Sequence, residues 1–309
     1  MNDARSNTAI GTTATAEPCP AYRGRFAPSP SGRLHSGSVL AALGSYLDAR
    51  HHGGRWLIRI EDLDTPRNQP GLAADILRTL AHLGLESDEA PLYQSARYPA
   101  YEHALAQLQT AGLTYPCSCS RSQAGPGVYG GHCRSGPSGP PPYALRLRQD
   151  DHSVLPFVDR FAGLHQQAWS QLGDPILRRR DELIAYQLAV VVDDAYQGIT
   201  DIVRGSDLLA STAWQRAVGQ ALKFKAPRYA HLPLLLGADG SKLSKSRSAA
   251  AIAEQPPATV LVDTLAYLQQ APPADLYRAS IRQILDWGIA HWQPERLQGL
   301  TTLTEKGPA

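Results

Sequence analysis

The chain has 309 residues, 43% of them hydrophobic and 19% charged, so it can bury the core of one or two domains and is neither disordered nor fibrous. Its longest nearly apolar runs, at 183–192 and 232–237, are far shorter than the roughly 20 residues that span a bilayer, which predicts a soluble protein. The net charge of +2 is too small to indicate a nucleic-acid partner by itself, so any such contact must be local.

The N-terminal segment 1–20 has neither a basic start nor a long apolar stretch, and therefore lacks the pattern of a secretory signal. We expect a flexible tail there, in a cytoplasmic protein. No long heptad pattern stands out along the chain, which favours a monomer.

The elements that follow predict an α/β protein. A short strand at 22–29 precedes a Pro- and Gly-rich turn, a helical pattern at 38–52, a β-branched and aromatic run at 55–64 and a second helical pattern at 71–85. This alternation is typical of a parallel sheet. The first turn should therefore lie at the carboxyl edge of the sheet, where such folds bind ligands.

The composition changes twice further along the chain. Residues 111–180 are rich in Gly and Pro and predict an insertion of turns and short strands. The α/β pattern resumes over 181–250, and 251–309 is mostly amphipathic helix. We therefore predict one α/β domain formed by 21–110 and 181–250, an insertion between its halves, and a helical C-terminal region.

The first turn has the features of a phosphate site. Pro28 and Pro30 keep it out of helix, and Gly37 lets the backbone approach a ligand where the next helix begins. A helix N-terminus offers free N–H groups and partial positive charge, and His35 and Ser38 are spaced to face the same phosphates. An ordinary strand-to-helix turn with a capping Ser is the alternative.

A second candidate is the polar loop at 237–248, in which Lys242, Lys245 and Arg247 alternate with serines. Such a loop could fold over a triphosphate and neutralise charge that develops during attack at the α-phosphorus. Taken alone, a solvated basic loop is the simpler interpretation.

Taken together, the two segments resemble the signature motifs of class I aminoacyl-tRNA synthetases, which here are His35-Ser36-Gly37-Ser38 and Lys242-Leu243-Ser244-Lys245-Ser246. The blocks RFAPSPSGRLHSGS and RIEDLD and the run 178–209 are similar to blocks of glutamyl-tRNA synthetases, in the same order, over roughly residues 22 to 250. The resemblance implies a Rossmann-like catalytic domain that activates glutamate with ATP, with magnesium bound mainly through the phosphates.

The resemblance also assigns roles to particular residues. It implies four catalytic residues: His35, Ser38, Lys242 and Lys245. It implies ATP binding by His35, Gly37, Ser38 and Lys245.

A glutamate site needs cationic or hydroxyl donors for two carboxylates and one carboxylate for the ammonium group. We assign Glu61 to the ammonium by charge. The resemblance implies the other glutamate-binding residues: Arg25, Phe26, Ala27, Pro28, Ser29, Tyr186 and Arg204. Which arginine takes which carboxylate stays open, and either could instead form a structural ion pair. Glu61, Asp62 and Asp64 could also be a metal or acid–base cluster, or helix caps.

Three of the four cysteines, Cys117, Cys119 and Cys133, lie within one Gly-rich segment. Three thiolates and one further ligand satisfy tetrahedral zinc, and a closed shell implies one structural ion. A disulfide is the poorer alternative, because Cys117 and Cys119 are too close for an unstrained bridge. From chemistry alone His132 would be the fourth ligand, whereas resemblance to short glutamyl-tRNA synthetase paralogues implies Tyr129.

Only 63 residues follow Ser246, so we expect no full anticodon-binding domain. This length, together with Ser38 at a position usually held by histidine, resembles the glutamyl-Q tRNA(Asp) synthetase family. The resemblance implies transfer of L-glutamate to the queuosine base in the anticodon of tRNA(Asp). Two alternatives remain: a conventional glutamyl-tRNA synthetase with a separate anticodon domain, and a non-catalytic RNA-binding paralogue.

Overall fold

The computed structural model describes residues 21–124, 128–150, 152–237, 252 and 254–304. The N-terminal tail, Lys242 and Lys245 lie outside the described residues. No helix within the described ranges is long and apolar enough to cross a membrane.

The elements of these ranges are numbered in chain order. The strands are β1 (Arg23–Phe26), β2 (Arg55–Ile60), β3 (Leu92–Tyr93), β4 (Thr114–Cys117), β5 (Ala144–Leu147), β6 (Phe157–Asp159), β7 (Gly163–His165), β8 (Ile176–Arg178), β9 (Asp201–Gly205), β10 (Arg228–Leu232), β11 (Leu234–Leu236) and β12 (Thr302–Thr304). The α-helices are α1 (Ser36–His51), α2 (Leu72–His82), α3 (Tyr98–Thr110), α4 (Arg121–Ala124), α5 (Trp169–Leu172), α6 (Tyr186–Tyr196), α7 (Ser211–Ala221), α8 (Pro257–Tyr267) and α9 (Ile281–Ala290).

Two parallel strand groups lie side by side in the core. One has the order β1-β2-β3, and the other has the order β7-β6-β10-β9, in which only β7 is antiparallel to its neighbour. They meet where β1 lies beside β9, because the Thr200 N–H donates to the Arg23 carbonyl oxygen at 3.0 Å. The carboxyl ends of β1 and β9 therefore share one edge, as the predicted parallel α/β fold requires.

Burial explains why the first elements form as the sequence predicts. Five of the six residues of β2 are buried, as expected for a parallel strand that is covered on both faces. Helix α1 packs on β1 and β9 and is covered in turn by α8 and α9. Its apolar residues are consequently buried on more than one face, including Val39, Leu43 and Leu47.

The region predicted as one insertion divides between two sheets. Strands β4, β5 and β8 form a separate antiparallel sheet. Strands β6 and β7, which lie inside the range 111–180, instead add to the sheet of β9 and β10, where Asp159 pairs with Tyr229. The sequence of so short a strand carries little periodicity, and its partner lies about 70 residues away, so only tertiary pairing places it.

The C-terminal region contains helices α8 and α9, and it also supplies β12, which pairs with β11 in parallel. Buried Asp48 of α1 joins this region to the rest of the molecule. It accepts hydrogen bonds from the Trp292 indole N–H at 3.0 Å, from Arg160 and from the Tyr22 hydroxyl. The region thus forms part of the hydrophobic core that contains α1.

Candidate active site

A cavity of about 710 Å³ opens at the carboxyl ends of β1 and β9. It is lined by ten of the residues that the sequence predicts for glutamate or ATP: Arg25, Phe26, Ala27, Pro28, Ser29, His35, Gly37, Ser38, Tyr186 and Arg204. Glu61 is not part of this lining. Its side chain is buried directly after β2, and the backbone N–H of Glu61 donates to the Pro28 carbonyl oxygen at 2.9 Å.

A buried ionic network lies behind the cavity wall at Arg25. The Asp194 carboxylate accepts from Arg25 Nε at 3.1 Å and from Arg59 Nη1 at 2.8 Å. Burial alone would raise the pKa of Asp194, but the charges of the two arginines more than offset it, so the pKa lies below its usual value. Asp194 therefore stays ionised and holds both guanidinium groups in place.

Glu61 joins the same network less tightly, since its Oε1 lies 3.5 Å from Arg59 Nη2. Burial raises its pKa to about 7, against the opposing attraction of Arg59 and Arg25. The carboxyl group thus titrates near neutral pH. A ligand cation placed beside it would favour the ionised form.

Arg204, which is only 5% exposed, is the centre of a second hydrogen-bond network. Its Nε donates to His231 Nε2 at 3.0 Å, its Nη2 to Thr212 Oγ1 at 2.9 Å, and its Nη1 to the Tyr186 hydroxyl at 3.3 Å. Burial raises the pKa of Tyr186, so the phenol keeps its proton and can donate to a ligand carboxylate. Arg204 and Tyr186 together give one wall of the cavity hydrogen-bond donors from which an anion could accept.

The first signature turn caps α1 with its histidine. His35 Nδ1 accepts from the Ser38 N–H at 3.3 Å, and the His35 carbonyl oxygen accepts from the N–H groups of Ser38 and Val39. A Cβ atom at Gly37 would lie 3.1 Å from the His35 ring. Glycine at this position therefore lets the imidazole fold against the helix start, with Nε2 carrying the proton of the neutral ring.

The three acidic residues that follow β2, Glu61, Asp62 and Asp64, do not form a cluster in the structure. Both Asp62 carboxylate oxygens accept from Ser95, and Asp64 pairs with Arg67. Glu61 instead faces the arginines. Across the described parts of the chain, only the three cysteines come together as three or more side chains able to hold a metal ion.

The three cysteines do converge. The Sγ atoms of Cys117, Cys119 and Cys133 lie within 4.8 Å of one another, and all three thiols are free. The Tyr129 hydroxyl lies 3.4 Å from Cys117 Sγ and 4.0 Å from Cys119 Sγ. His132 stacks edge-on against the Tyr129 ring. The arrangement is compatible with a metal site.

Sequence reasoning missed several residues behind the cavity: Arg59, Asp159, Asp194, Thr212 and His231. The charged residues among them share one sequence signal: each lies in or next to an element that is otherwise mostly apolar and buried. Arg59 lies in RWLIRI, and Asp194 lies in the last turn of α6, after the run LAVVV. A charge in such a run is seldom buried without a partner. That signal predicts an ion pair, although it does not name the partner.

The chain matches the family described as "tRNA synthetases class I (E and Q), catalytic domain" over residues 21–124 and 132–265. A glutamyl-Q tRNA(Asp) synthetase from Aromatoleum aromaticum is 47% identical over 293 residues, which cover 90% of this chain and 92% of the relative. Relatives of the same name from Pseudomonas aeruginosa and Xanthomonas campestris are 48% and 50% identical, and the matches cover 98% and 95% of those proteins and 92% and 91% of this chain.

A solved structure is also similar. The glutamate tRNA ligase of Elizabethkingia meningosepticum, crystallised in complex with its amino acid, matches with a TM-score of 0.76 and 25% identity over 93% of this chain and 67% of that one.

The parallel sheet, the signature turn and the family match define a class I tRNA synthetase catalytic domain. Within that class the chain belongs to the glutamyl-Q tRNA(Asp) synthetase family, as the chain length and Ser38 predicted, and it is an ATP-dependent ligase.

Proposed function

We propose that this enzyme activates L-glutamate with ATP and transfers the glutamyl group to the queuosine base in the anticodon of tRNA(Asp). The observation that carries the proposal is the cavity whose wall combines Arg25, Arg204 and Tyr186, with the buried Glu61 close enough to interact electrostatically with Arg25 and Tyr186. Glutamate has two carboxylates and one ammonium, and this set supplies cationic and hydroxyl donors for the former and a carboxylate for the latter. The names of its relatives indicate the same reaction.

Charge complementarity supports glutamate as the ligand. Arg25 and Arg204 line the cavity and carry the positive charges that the two carboxylates of glutamate require. The buried Glu61 lies close enough to Arg25 for their charges to interact. Glu61 would bind the ammonium group, and Arg204 with Tyr186 would bind one carboxylate.

The first chemical step joins glutamate to the nucleotide. A carboxylate oxygen of glutamate attacks the α-phosphorus of ATP and pyrophosphate leaves, which forms glutamyl-adenylate. His35 and the start of α1 would contact the phosphates, because a helix N-terminus favours anions. Lys242 and Lys245 would neutralise the negative charge that develops on the phosphates, and magnesium would accompany ATP.

In the second step, a hydroxyl on the cyclopentene ring of queuosine attacks the glutamyl carbonyl, an ester forms and AMP leaves. Positioning of the two substrates dominates such a reaction, since the acyl group is already activated. A cytoplasmic location and a monomeric state stay predictions from the sequence.

We propose that the cysteine cluster holds one structural zinc ion. Zinc–sulfur bonds of about 2.3 Å place thiolates of a tetrahedral site roughly 3.8 Å apart, and Cys119 Sγ lies 3.5 Å from Cys133 Sγ. Tyr129 is the proposed fourth ligand, because its hydroxyl lies among these thiols. Bound zinc would crosslink β4 to the segment around Cys133.

One labelling experiment tests the reaction. The enzyme is supplied with radiolabelled glutamate, ATP and one of three RNAs: tRNA(Glu), tRNA(Asp) with queuosine, or tRNA(Asp) with guanosine at that position. We expect label only on the queuosine-containing tRNA(Asp), and none with a Lys245→Ala variant. Label on tRNA(Glu) alone would instead identify a conventional glutamyl-tRNA synthetase activity, and no label on any RNA would contradict the proposal.

A further inference from the structure

Arg204 is held from behind by residues of two other elements. In the parallel pairing of β9 and β10, Arg204 lies opposite His231. The guanidinium donates through Nε to His231 and through Nη2 to Thr212 of α7 and to the Leu208 carbonyl oxygen. Nη1 donates to the Tyr186 hydroxyl, and both Tyr186 and Leu208 line the cavity. The rear contacts thus decide which edge of the guanidinium faces the ligand.

His231 can play this part in only one protonation state. An arginine side chain is always a donor, so His231 Nε2 must accept. The ring proton then resides on Nδ1, which lies 2.6 Å from Asp159 Oδ2. The ring is 2% exposed, and its charged neighbours are Asp159, Arg204 and Arg25. Burial lowers the pKa of His231, so the neutral ring is favoured.

Asp159 is itself fixed in orientation. Its Oδ1 accepts from three backbone N–H groups, those of His231 at 3.1 Å, Phe161 at 3.0 Å and Ala162 at 2.9 Å. Oδ2 is left to face the imidazole. The hydrogen bonds from His231 and from the backbone outweigh burial and lower the pKa of Asp159 to about 2, so it accepts from Nδ1–H as an anion.

We propose that Asp159 and His231 are positioning residues for glutamate binding: Asp159 sets the Nδ1–H tautomer of His231, and the imidazole then holds the Arg204 guanidinium with its free edge towards the substrate carboxylate. This inference rests on the proposed function, since it assigns Arg204 to the ligand. Neither residue is part of the cavity lining, so both would act on the substrate only through Arg204.

The variant Asp159→Asn separates this role from a merely structural one. Three backbone donors should keep the amide oxygen at the Oδ1 position, which places the amide NH₂ against His231 Nδ1. The imidazole then has to carry its proton on Nε2, facing the Nε–H of Arg204. We expect the KM for glutamate in ATP–pyrophosphate exchange to rise by at least about tenfold, with little change in the KM for ATP. In the Ser-His-Asp triad the same Asp→Asn change leaves the geometry intact and acts through the wrong tautomer of the histidine, which is the kind of effect that this variant tests.

Two further variants complete the experiment. His231→Gln in the Asp159→Asn background offers an amide oxygen near the Nε2 position, which can accept from Arg204 again, and should restore part of the glutamate affinity. Asp201→Asn is the matched control, because Asp201 is as deeply buried and pairs with Arg228, away from Arg204. Its KM for glutamate should stay within about twofold of that of the unchanged enzyme.

Nitrogen-15 NMR of the histidine rings, with the His231 signal assigned by its loss in His231→Gln, reads the tautomer without any catalysis. We expect neutral Nδ1–H in the unchanged enzyme and Nε2–H in Asp159→Asn. An Nε2–H tautomer in the unchanged enzyme, or an unaltered KM for glutamate after the tautomer has switched, would overturn the inference. Absence of glutamate-dependent exchange in the unchanged enzyme would overturn the proposed function instead, and the tautomer result would stand on its own.

Discussion

The cysteine cluster and the glutamate cavity differ in the length of chain that builds them. The cluster draws its side chains from residues 117–133, whereas the cavity takes lining residues from Arg25 to Leu235. The cluster can therefore be recognised from local spacing. The cavity exists only after β1 and β9 have come to lie side by side.

The two sites also differ in how their polar groups are satisfied. Thiols of the cluster contact one another and Tyr129. Charges at the cavity are paired across elements, as when Asp194 of α6 joins Arg25 of β1 to Arg59 of β2. A change at the cavity should consequently disturb the whole domain, and a change at the cluster should stay local.

The largest effect is expected for Asp194→Ala. The substitution leaves Arg25 and Arg59 buried without their shared carboxylate, so the free energy of unfolding should fall by about 3–5 kcal/mol, measured by urea denaturation. Asp286→Ala is the control, because it removes only an exposed contact with Arg282 and should change stability by less than about 0.5 kcal/mol. Equal effects of the two substitutions would contradict the assignment of a structural role to the buried network.

A smaller effect is expected for Arg204→Lys. Lysine keeps the charge but loses the planar set of donors to His231, Thr212 and Tyr186. The KM for glutamate should rise roughly 10- to 100-fold, as expected when one hydrogen bond from a charged group to the ligand carboxylate is lost. Arg228→Lys, outside the cavity, should change it less than about twofold. A normal KM in Arg204→Lys would remove Arg204 from the glutamate site.

Tyr129→Phe tests the local site. Outer partners of a metal are worth about 10- to 100-fold in affinity, so loss of a direct ligand should weaken zinc binding at least about tenfold. Zinc content by mass spectrometry and competition with a chelator measure this, and His132→Ala should retain the metal. The KM for glutamate should be nearly unchanged in both variants. If Tyr129→Phe retained zinc and His132→Ala lost it, His132 would be the fourth ligand instead.

The smallest effect is a pH dependence from Glu61. Its pKa of about 7 means that the free enzyme gains a proton there as the pH falls, and loses the charge that would bind the ammonium group. The KM for glutamate should rise about threefold from pH 7.5 to 6.5, and Glu61→Gln should flatten that profile at a high KM. Because the folded pKa exceeds the ordinary 4.5, Glu61 favours the folded state at low pH, and this contribution is lost as the pH rises through about 7.

Local sequence patterns predicted much of the fold. The strand, turn and helix from β1 to α2 follow apolar spacing, and Pro28 and Gly37 mark the turn between them. Such signals fail where pairing is distant. Strand β6 joins β10, and β12 joins β11, through contacts that no spacing within either strand encodes.

The sequence by itself determined the family, the signature motif at His35–Ser38 and the convergence of the three cysteines, because each can be recognised from short blocks whose residues are close along the chain. Tertiary structure alone decided how the charges are paired. It placed Asp194 between two arginines and His231 behind Arg204, since burial removes water and leaves each charge dependent on whichever distant side chain the sheet brings within hydrogen-bonding distance.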